Sequence, residues 1–234
     1  MSLNVTLREL ALGLGADFYG VADLTPAYEA ILAQGGPTIA RYPRSVTVGI
    51  ALMHPVVDAI ADHGDRAAML NYRQHAYDIV NARLDEIVSR LASRLQREGH
   101  AALPIPSRTR IDDARMIGHF SHKMGAHLAG LGWIGKSCLL ITPQVGPRAR
   151  WCTVLTDAPL APTGEAMAER CGDCTACVDI CPVQAYTGRA FRADEPREAR
   201  FDVFKCNAYQ QAREQAVGVH VCGLCLYVCP YGRK

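Results

Sequence analysis

Cysteine is the residue type in this chain whose spacing points most directly to chemistry. Of the 10 cysteines among 234 residues, eight fall in the C-terminal third. One run has the spacing C-x2-C-x2-C-x3-C-P, and a later run has C-x2-C-x3-C-P. Such intervals are typical of metal ligands and not of disulfide bridges. The first run contains Cys171, Cys174, Cys177 and Cys181, and the second contains Cys222, Cys225 and Cys229.

The first run matches the ligand pattern of bacterial ferredoxins that carry two 4Fe-4S clusters. In that pattern the fourth cysteine of a run binds the other cluster. The second run lacks its first cysteine, and Cys206 is the upstream substitute. Two zinc sites are the alternative, because paired C-x2-C motifs also suit tetrahedral zinc. We predict one cluster held by Cys171, Cys174, Cys177 and Cys229, and another held by Cys181, Cys206, Cys222 and Cys225.

Cys138 and Cys152 lie outside both runs, within segments that we predict to be strands. Free cysteine packs as a small apolar side chain. We therefore expect both residues to be ordinary parts of a buried core.

The composition sets limits on the class of protein. A formal net charge of +2 gives no general attraction to nucleic acid or to a membrane surface. No apolar run reaches the roughly 18 residues that a transmembrane helix needs, and the first residues lack the layout of a secretory signal. Thiolate ligands also require a reducing compartment. We expect a cytoplasmic protein with no membrane partner.

Upstream of the cysteines, helical and strand patterns alternate. Apolar residues spaced by three and four predict a long helix, and alternation around Val48 predicts a half-buried or central strand. A capping box at Thr6 and Glu9 predicts the start of the first helix. A proline-rich stretch, 158–164, marks a domain boundary. The predicted helices are 7–14, 26–32, 67–98 and 120–129, and the predicted strands are 18–22, 46–52, 101–105, 138–142 and 151–156.

Three segments resemble the epoxyqueuosine reductase family, whose relatives include the corrinoid reductive dehalogenases. They are SHKMGAHLAGLGWIGK at 121–136, LLITP at 139–143 and VLTDAPL at 154–160. The resemblance implies an α+β chain with two domains. Residues 1–160 would form a nitroreductase-like α/β domain of the cobalamin-binding type, and residues 161–234 a ferredoxin-like domain with two 4Fe-4S clusters. Electrons would pass through the clusters to cobalamin and on to a small substrate or corrinoid partner.

The segment 121–136 contains the residues that we assign to cobalamin. Gly130 and Gly132 would let the backbone approach a large cofactor, and Lys136 would meet a phosphate or propionamide group. Ser121 and His122 are further cofactor-binding candidates, and His122 is also a candidate proton donor. The alternative for the glycines is a helix C-cap followed by a tight turn.

The chain departs from the family in two places. Epoxyqueuosine reductases carry an aspartate proton donor at a position that Met116 occupies here, and a thioether cannot transfer a proton. Asp112 and Asp113 are close enough to replace it only if the alignment contains a small gap. The sequence also stops at Lys234, where the tRNA-acting enzymes commonly continue with helical repeats. We therefore expect tRNA not to be the substrate.

Two functions follow as hypotheses. The first is a cobalamin-dependent iron-sulfur reductase that receives electrons from a donor such as ferredoxin or flavodoxin. The second is a ferredoxin-type electron-transfer protein whose upstream domain serves only for docking. The lost aspartate favours the second, and the retained segment 121–136 favours the first.

Overall fold

The computed structural model describes residues 2–108 and 110–233, and these form two compact units that interleave along the chain. We call them the sheet unit (residues 1–50, 81–132 and 150–167) and the cysteine unit (residues 51–80, 133–149 and 168–234). The predicted boundary between residues 160 and 161 separates the two expected cofactor-binding domains, and it stays a prediction.

The sheet unit contains a four-stranded sheet in the order β1-β2-β6-β3. Strands β1 and β2 are antiparallel, with Phe18 opposite Gly49, and β3 and β6 are antiparallel, with Ala102 opposite Thr156. Six consecutive residues of β2, 45–50, are buried, which confirms the predicted strand in a central position. The strands are β1 (Phe18–Asp23), β2 (Arg44–Ala51), β3 (Ala102–Ile105) and β6 (Ala149–Thr156).

Helices supply the remaining apolar surface of the sheet unit. On α6, Leu84, Ile87, Leu91 and Leu95 recur every three or four residues and are at most 1% exposed. Each such side chain contributes roughly 2 kcal/mol through burial, so this face anchors the helix. The helices are α1 (Leu3–Gly13), α2 (Tyr28–Gly35), α3 (Pro37–Ala40), α6 (Val80–Arg97, in this unit from residue 81) and α7 (His122–Leu128).

The first helix begins earlier than predicted. Ser2 is the N-cap, and its hydroxyl accepts the Val5 N–H at 3.4 Å. The Thr6 hydroxyl instead donates to the Ser2 carbonyl from inside the helix. The prediction of a capping box at Thr6 was wrong, because the chain offers a second capping hydroxyl one turn upstream.

The long helical segment is not uniform. Asp65 caps α5 (Arg66–Arg73) by accepting the N–H groups of Ala67 and Ala68. A π-helical turn, Gln74–Ile79, then leads into α6. The prediction of a helix over 67–98 is confirmed in extent, but the π turn has no signal in the apolar spacing.

The cysteine unit consists of short elements around the two cysteine runs. The predicted strand at 138–142 is confined to β5, because Cys138 has a φ of +55°, outside the extended region. Its partner strand, β4, was not predicted. The other elements are α4 (His54–Asp58), β4 (Trp133–Ile134), β5 (Leu140–Ile141), α8 (Ala176–Asp179), α9 (Val203–Val217) and α10 (Leu224–Tyr227).

Within residues 2–108 and 110–233, none of the helices combines the length and the apolar character needed to cross a bilayer.

Candidate iron-sulfur sites

The first group of thiols unites three cysteines of the first run with one of the second. The pKa of Cys177 is raised to about 11, mainly by burial and also by the neighbouring thiols of Cys171, Cys229 and Cys174. Burial also raises the pKa of Cys229, to which Cys174 is again a neighbour. The structure therefore brings together the four side chains predicted to hold one cluster.

The second group unites Cys181 with the cysteines of the downstream segment. Burial raises the pKa of Cys222 to about 11, with Cys206 and Cys181 as neighbouring thiols. The pKa of Cys225 is raised to about 12 by burial, and Cys222 and Cys206 add to the effect. Cys206 thus lies where the interrupted spacing of the second run requires a fourth thiol. Its role as a ligand stays a prediction.

Local capping places Cys206 in this group. Asp202 is the N-cap of α9, and its carboxylate accepts the N–H groups of Phe204 and Lys205 at 3.0 Å each. Cys206 follows in the first turn of the helix. The insertion between Cys206 and Cys222 is mostly this helix, which returns the chain to the second run.

Hydrogen bonds to sulfur surround the second group. The Ala185 N–H donates to Cys181 Sγ at 3.3 Å, and Tyr186 Oη donates to Cys225 Sγ at 3.2 Å. Donors of this kind stabilise negative charge on thiolates and influence the potential of a bound cluster.

The eight thiols have the chemistry of iron-sulfur ligands. Soft thiolates in sets of four suit both 4Fe-4S clusters and zinc. In the described part of the chain, no three His, Cys, Asp or Glu side chains meet closely enough to hold a single metal ion. Zinc needs sulfur atoms about 2.3 Å from one ion, whereas a cluster places its own iron and sulfide between the thiols. Metal analysis of the purified protein decides between the two.

Lys136 contacts the first cysteine loop. Its Nζ donates to the Gly172 carbonyl at 2.6 Å and to the Cys174 carbonyl at 3.2 Å. The space around Gly135 is also tight, because a Cβ there would lie 2.9 Å from Ile141 Cγ1 and 3.3 Å from Cys171 Sγ. Part of the glycine-rich segment therefore shapes the surroundings of the first thiol group. The assignment of Lys136 to a corrinoid stays a prediction.

Ser121 and His122 begin α7 in the sheet unit. The Ser121 hydroxyl accepts the Met124 N–H at 3.4 Å as the N-cap. His122 Nε2 donates to the Pro106 carbonyl at 3.3 Å, and its Nδ1 lies 3.0 Å from the Thr153 hydroxyl. Burial lowers the pKa of His122 to about 4, so the ring is neutral at pH 7 and holds no proton ready for donation.

Gly130 ends α7 and turns the chain. It has a φ of +78°, and a Cβ there would lie 3.0 Å from the Glu165 carbonyl oxygen. The Gly130 N–H donates to the His127 carbonyl, and His127 Nδ1 donates to the Gly132 carbonyl at 3.0 Å. These contacts are those of the C-cap and turn alternative. A corrinoid contact of Gly130 and Gly132 stays a prediction.

The comparisons with known proteins agree with this geometry. Residues 170–232 match the family described as a 4Fe-4S double cluster binding domain. The epoxyqueuosine reductase of Pseudomonas aeruginosa is 34% identical over 150 residues, which are 62% of this chain and 39% of that protein. The enzyme of Bacillus anthracis is 30% identical over 123 residues, 48% of this chain and 30% of that protein.

The resemblance to the epoxyqueuosine reductase family that the sequence motifs indicated is confirmed by these relatives. Among solved structures, the catabolic reductive dehalogenase NpRdhA gives a TM-score of 0.70 at 23% identity, covering 97% of this chain and 31% of that one. The epoxyqueuosine reductase of Streptococcus thermophilus gives 0.63 at 17% identity, covering 100% and 67%. These likenesses confirm the predicted fold class, with a double-cluster domain in the C-terminal part.

The chain spans 39% and 30% of the lengths of the two curated relatives described above. Activity, substrate and partners of the whole protein are therefore matters of proposal.

Met116, at the position where we expect the family's aspartate, lies in a tight turn of the sheet unit. The Asp112 carboxylate accepts the Arg115 N–H at 2.9 Å, and the Ile117 N–H donates to the Asp112 carbonyl. Met116 has a φ of +51°, which Asp and Asn adopt more readily than Met. The Asp112 carboxylate is thus hydrogen-bonded within the turn, and Asp113 is exposed.

We expect His122 to make the free energy of unfolding decrease as the pH falls below about 6.5. Its folded pKa of about 4 is below the ordinary value, so between these limits the unfolded chain binds the proton and the folded chain does not. Between about pH 7.5 and 5.5 the loss from this residue is about 1 kcal/mol. Anaerobic urea unfolding at both values should show a smaller loss for His122→Gln than for wild type. Equal losses would contradict the assigned burial.

Proposed function

We propose that this protein is an iron-sulfur reductase in which two 4Fe-4S clusters deliver electrons to a corrinoid, which reduces a small substrate or a corrinoid partner. The observation that supports it most is the pairing of thiols. Each group of four combines cysteines that are distant in the sequence. All eight cysteines lie within residues 170–232, which match the 4Fe-4S double cluster binding domain. A fold in which each run contributes to both groups suits two clusters placed close together.

The protein's own residues have defined tasks in this proposal. Eight cysteines would hold the clusters, which supply one-electron transfer. Lys136 orders the loop between Cys171 and Cys174 by bonding two of its carbonyls. The thiols are partly buried, which reduces access of water, one of the factors that set the potential of a cluster.

Support for the corrinoid comes from the family and not from the predicted contacts. Ser121, His122 and Lys136 all make hydrogen bonds within the protein, and the Gly130 backbone closes on the chain near Glu165. These residues therefore do not display a prepared corrinoid site. No step of the reaction is assigned to them.

One observation favours the second candidate, an electron-transfer protein without its own substrate. We expect Met116 at the position of the family's acid, and neutral His122 is a poor replacement. Such a protein would keep both clusters and lack corrinoid chemistry.

The substrate and the donor are further parts of the proposal. A solved epoxyqueuosine reductase with a TM-score of 0.64 is described in complex with an epoxyqueuosine-modified tRNA stem loop. A tRNA therefore stays a candidate beside small molecules, contrary to our expectation from the sequence. A low-potential protein such as ferredoxin or flavodoxin is the proposed donor.

Anaerobic reconstitution tests the proposal. The protein is loaded with iron and sulfide, its metal content is measured, and cobalamin is added under reducing conditions. We expect two clusters, a perturbed corrinoid spectrum and cluster-dependent formation of cobalt(I). Two zinc ions in place of clusters would overturn the proposal. Full clusters without any binding of corrinoid would leave the electron-transfer function.

A further inference from the structure

A phenol lies against one thiol of the second group. Tyr186 Oη donates to Cys225 Sγ at 3.2 Å, and Tyr186 is only 9% exposed. Both residues belong to the cysteine unit. A buried hydroxyl is costly unless it has a partner, and here the partner is sulfur.

Backbone pairing fixes the position of the phenol. Residues on either side of Tyr186 are bonded to a neighbouring segment, with Thr187 N–H donating to the Arg200 carbonyl at 3.0 Å and Asp202 N–H to the Ala185 carbonyl at 2.8 Å. The ring stacks on Phe201 with a centroid distance of 4.9 Å and an interplanar angle of 16°. Moving the hydroxyl away from Cys225 would therefore break either the backbone pairing or the stacking on Phe201.

The packing needs the ring but not the hydroxyl. Stacking on Phe201 would be equally available to a phenylalanine. The hydroxyl adds a polar donor in a buried place, and its contact is with a thiol predicted to bind a cluster. We therefore expect the chemical effect of the Tyr186 hydroxyl at Cys225.

Reduction of a 4Fe-4S cluster adds one electron, and part of the added negative charge resides on the thiolate sulfurs. A phenol has an ordinary pKa of about 10, so it donates a proton in a hydrogen bond near neutral pH. Hydrogen bonds to charged acceptors are stronger than neutral ones, and they strengthen as the acceptor becomes more negative. Hydrogen bonding to the sulfurs is one of the factors that set cluster potentials.

We propose that Tyr186 is a positioning residue that raises the reduction potential of the cluster held by the second group, through its hydrogen bond to Cys225. This inference rests on the proposed function, since it requires that cluster. The electron comes from the low-potential donor, or from dithionite in the laboratory. No covalent bond is formed or broken, and the phenol keeps its proton.

The test compares wild type with Tyr186→Phe, which retains the ring and removes the donor. Tyr209→Phe is the matched control, because Tyr209 stacks on His63, with a centroid distance of 6.3 Å, and not on a thiol. Each protein is reconstituted, its iron content is measured, and the clusters are titrated with dithionite under electron paramagnetic resonance. We expect the oxidised-to-reduced ratio of one cluster at fixed potential to rise up to about tenfold in Tyr186→Phe, a decrease of ~59 mV in midpoint.

The other cluster and the Tyr209→Phe protein should keep their wild-type midpoints. A fully loaded Tyr186→Phe protein with unchanged midpoints would overturn this inference alone. Failure of wild type to hold clusters would overturn the proposed function with it. Incorporation of 3-fluorotyrosine at position 186 gives a second measurement with the opposite sign. The stronger donor should raise the same midpoint, and an unchanged midpoint would again overturn the inference.

Discussion

Replacing Cys206 by alanine should remove one 4Fe-4S cluster and leave the other. Cys206 adjoins Cys181 and Cys222 in the second thiol group, and the first group contains a complete set of four without it. A 4Fe-4S cluster in a ferredoxin-like site is held by four thiolates, so three thiolates leave one iron without its ligand. We expect about half of the wild-type iron and a single remaining cluster signal in the reduced protein.

Cys152→Ala is the matched control for this experiment. Cys152 is completely buried in β6, and its thiol donates to the Ile105 carbonyl at 3.0 Å. It belongs to neither thiol group, so its loss should lower stability and leave the iron content unchanged. Full iron in Cys206→Ala would mean that another residue completes the second site, and the crossed assignment would be wrong.

The cysteine groups could be predicted from the sequence because ligand spacing carries a rule about which residues share a cluster. That rule required a fourth thiol upstream of Cys222, and only Cys206 met the requirement outside the predicted strands. The position of strand β2 was equally accessible, since apolar residues alternate around Val48, although the structure buries the intervening residues as well. In both cases the signal is local and follows from one physical requirement.

Lys136 shows why the neighbouring segment was harder to interpret. A lysine after a glycine-rich string suits an anionic cofactor, but its partners in the structure are carbonyls 36 and 38 residues away. The sequence spacing around Lys136 does not indicate those partners. The tight fit of Gly135 against Cys171 likewise depends on a tertiary contact, although a glycine between Ile134 and Lys136 could have suggested close approach.

The π turn and Met116 belong to a different class of missed features. The π turn preserves the apolar spacing on either side, so periodicity does not detect it. Met116 has a backbone angle that its residue type disfavours, and its φ follows from the turn closed by Asp112 and Ile117. A backbone angle that is set by the closure of a loop cannot be predicted from the type of the residue that adopts it.

Gly146→Ala should destabilise the cysteine unit and reduce occupancy of the first cluster site. Gly146 has a φ of +58°, and an added Cβ would lie 2.5 Å from the Tyr231 carbonyl carbon and still closer to the Gly232 nitrogen. Both obstacles are backbone atoms, which cannot rotate away. The backbone strain alone costs about 1 to 3 kcal/mol, and the overlap must also push the segment away.

That segment includes a predicted ligand of the first cluster. The Gly232 N–H donates to the Cys229 carbonyl at 3.0 Å, and Tyr231 packs edge-on against Trp133 at a centroid distance of 4.8 Å. The N–H groups of Tyr231 and Gly232 also lower the pKa of the Cys229 thiol, against the larger effect of burial. Displacing these residues removes donors that favour the thiolate, which is the form that binds iron.

Gly64→Ala separates this mechanism from a general effect of adding a methyl group. Gly64 is in the same unit, is exposed, and has open space where its Cβ would be built. Its substitution should change the free energy of unfolding by less than about 0.5 kcal/mol and leave both cluster signals intact. We expect Gly146→Ala to lose at least about 2 kcal/mol in anaerobic unfolding, with selective loss of one cluster signal. If Gly146→Ala retained wild-type stability and iron, the contact between Gly146 and the segment after Cys229 could not be holding that cysteine in place.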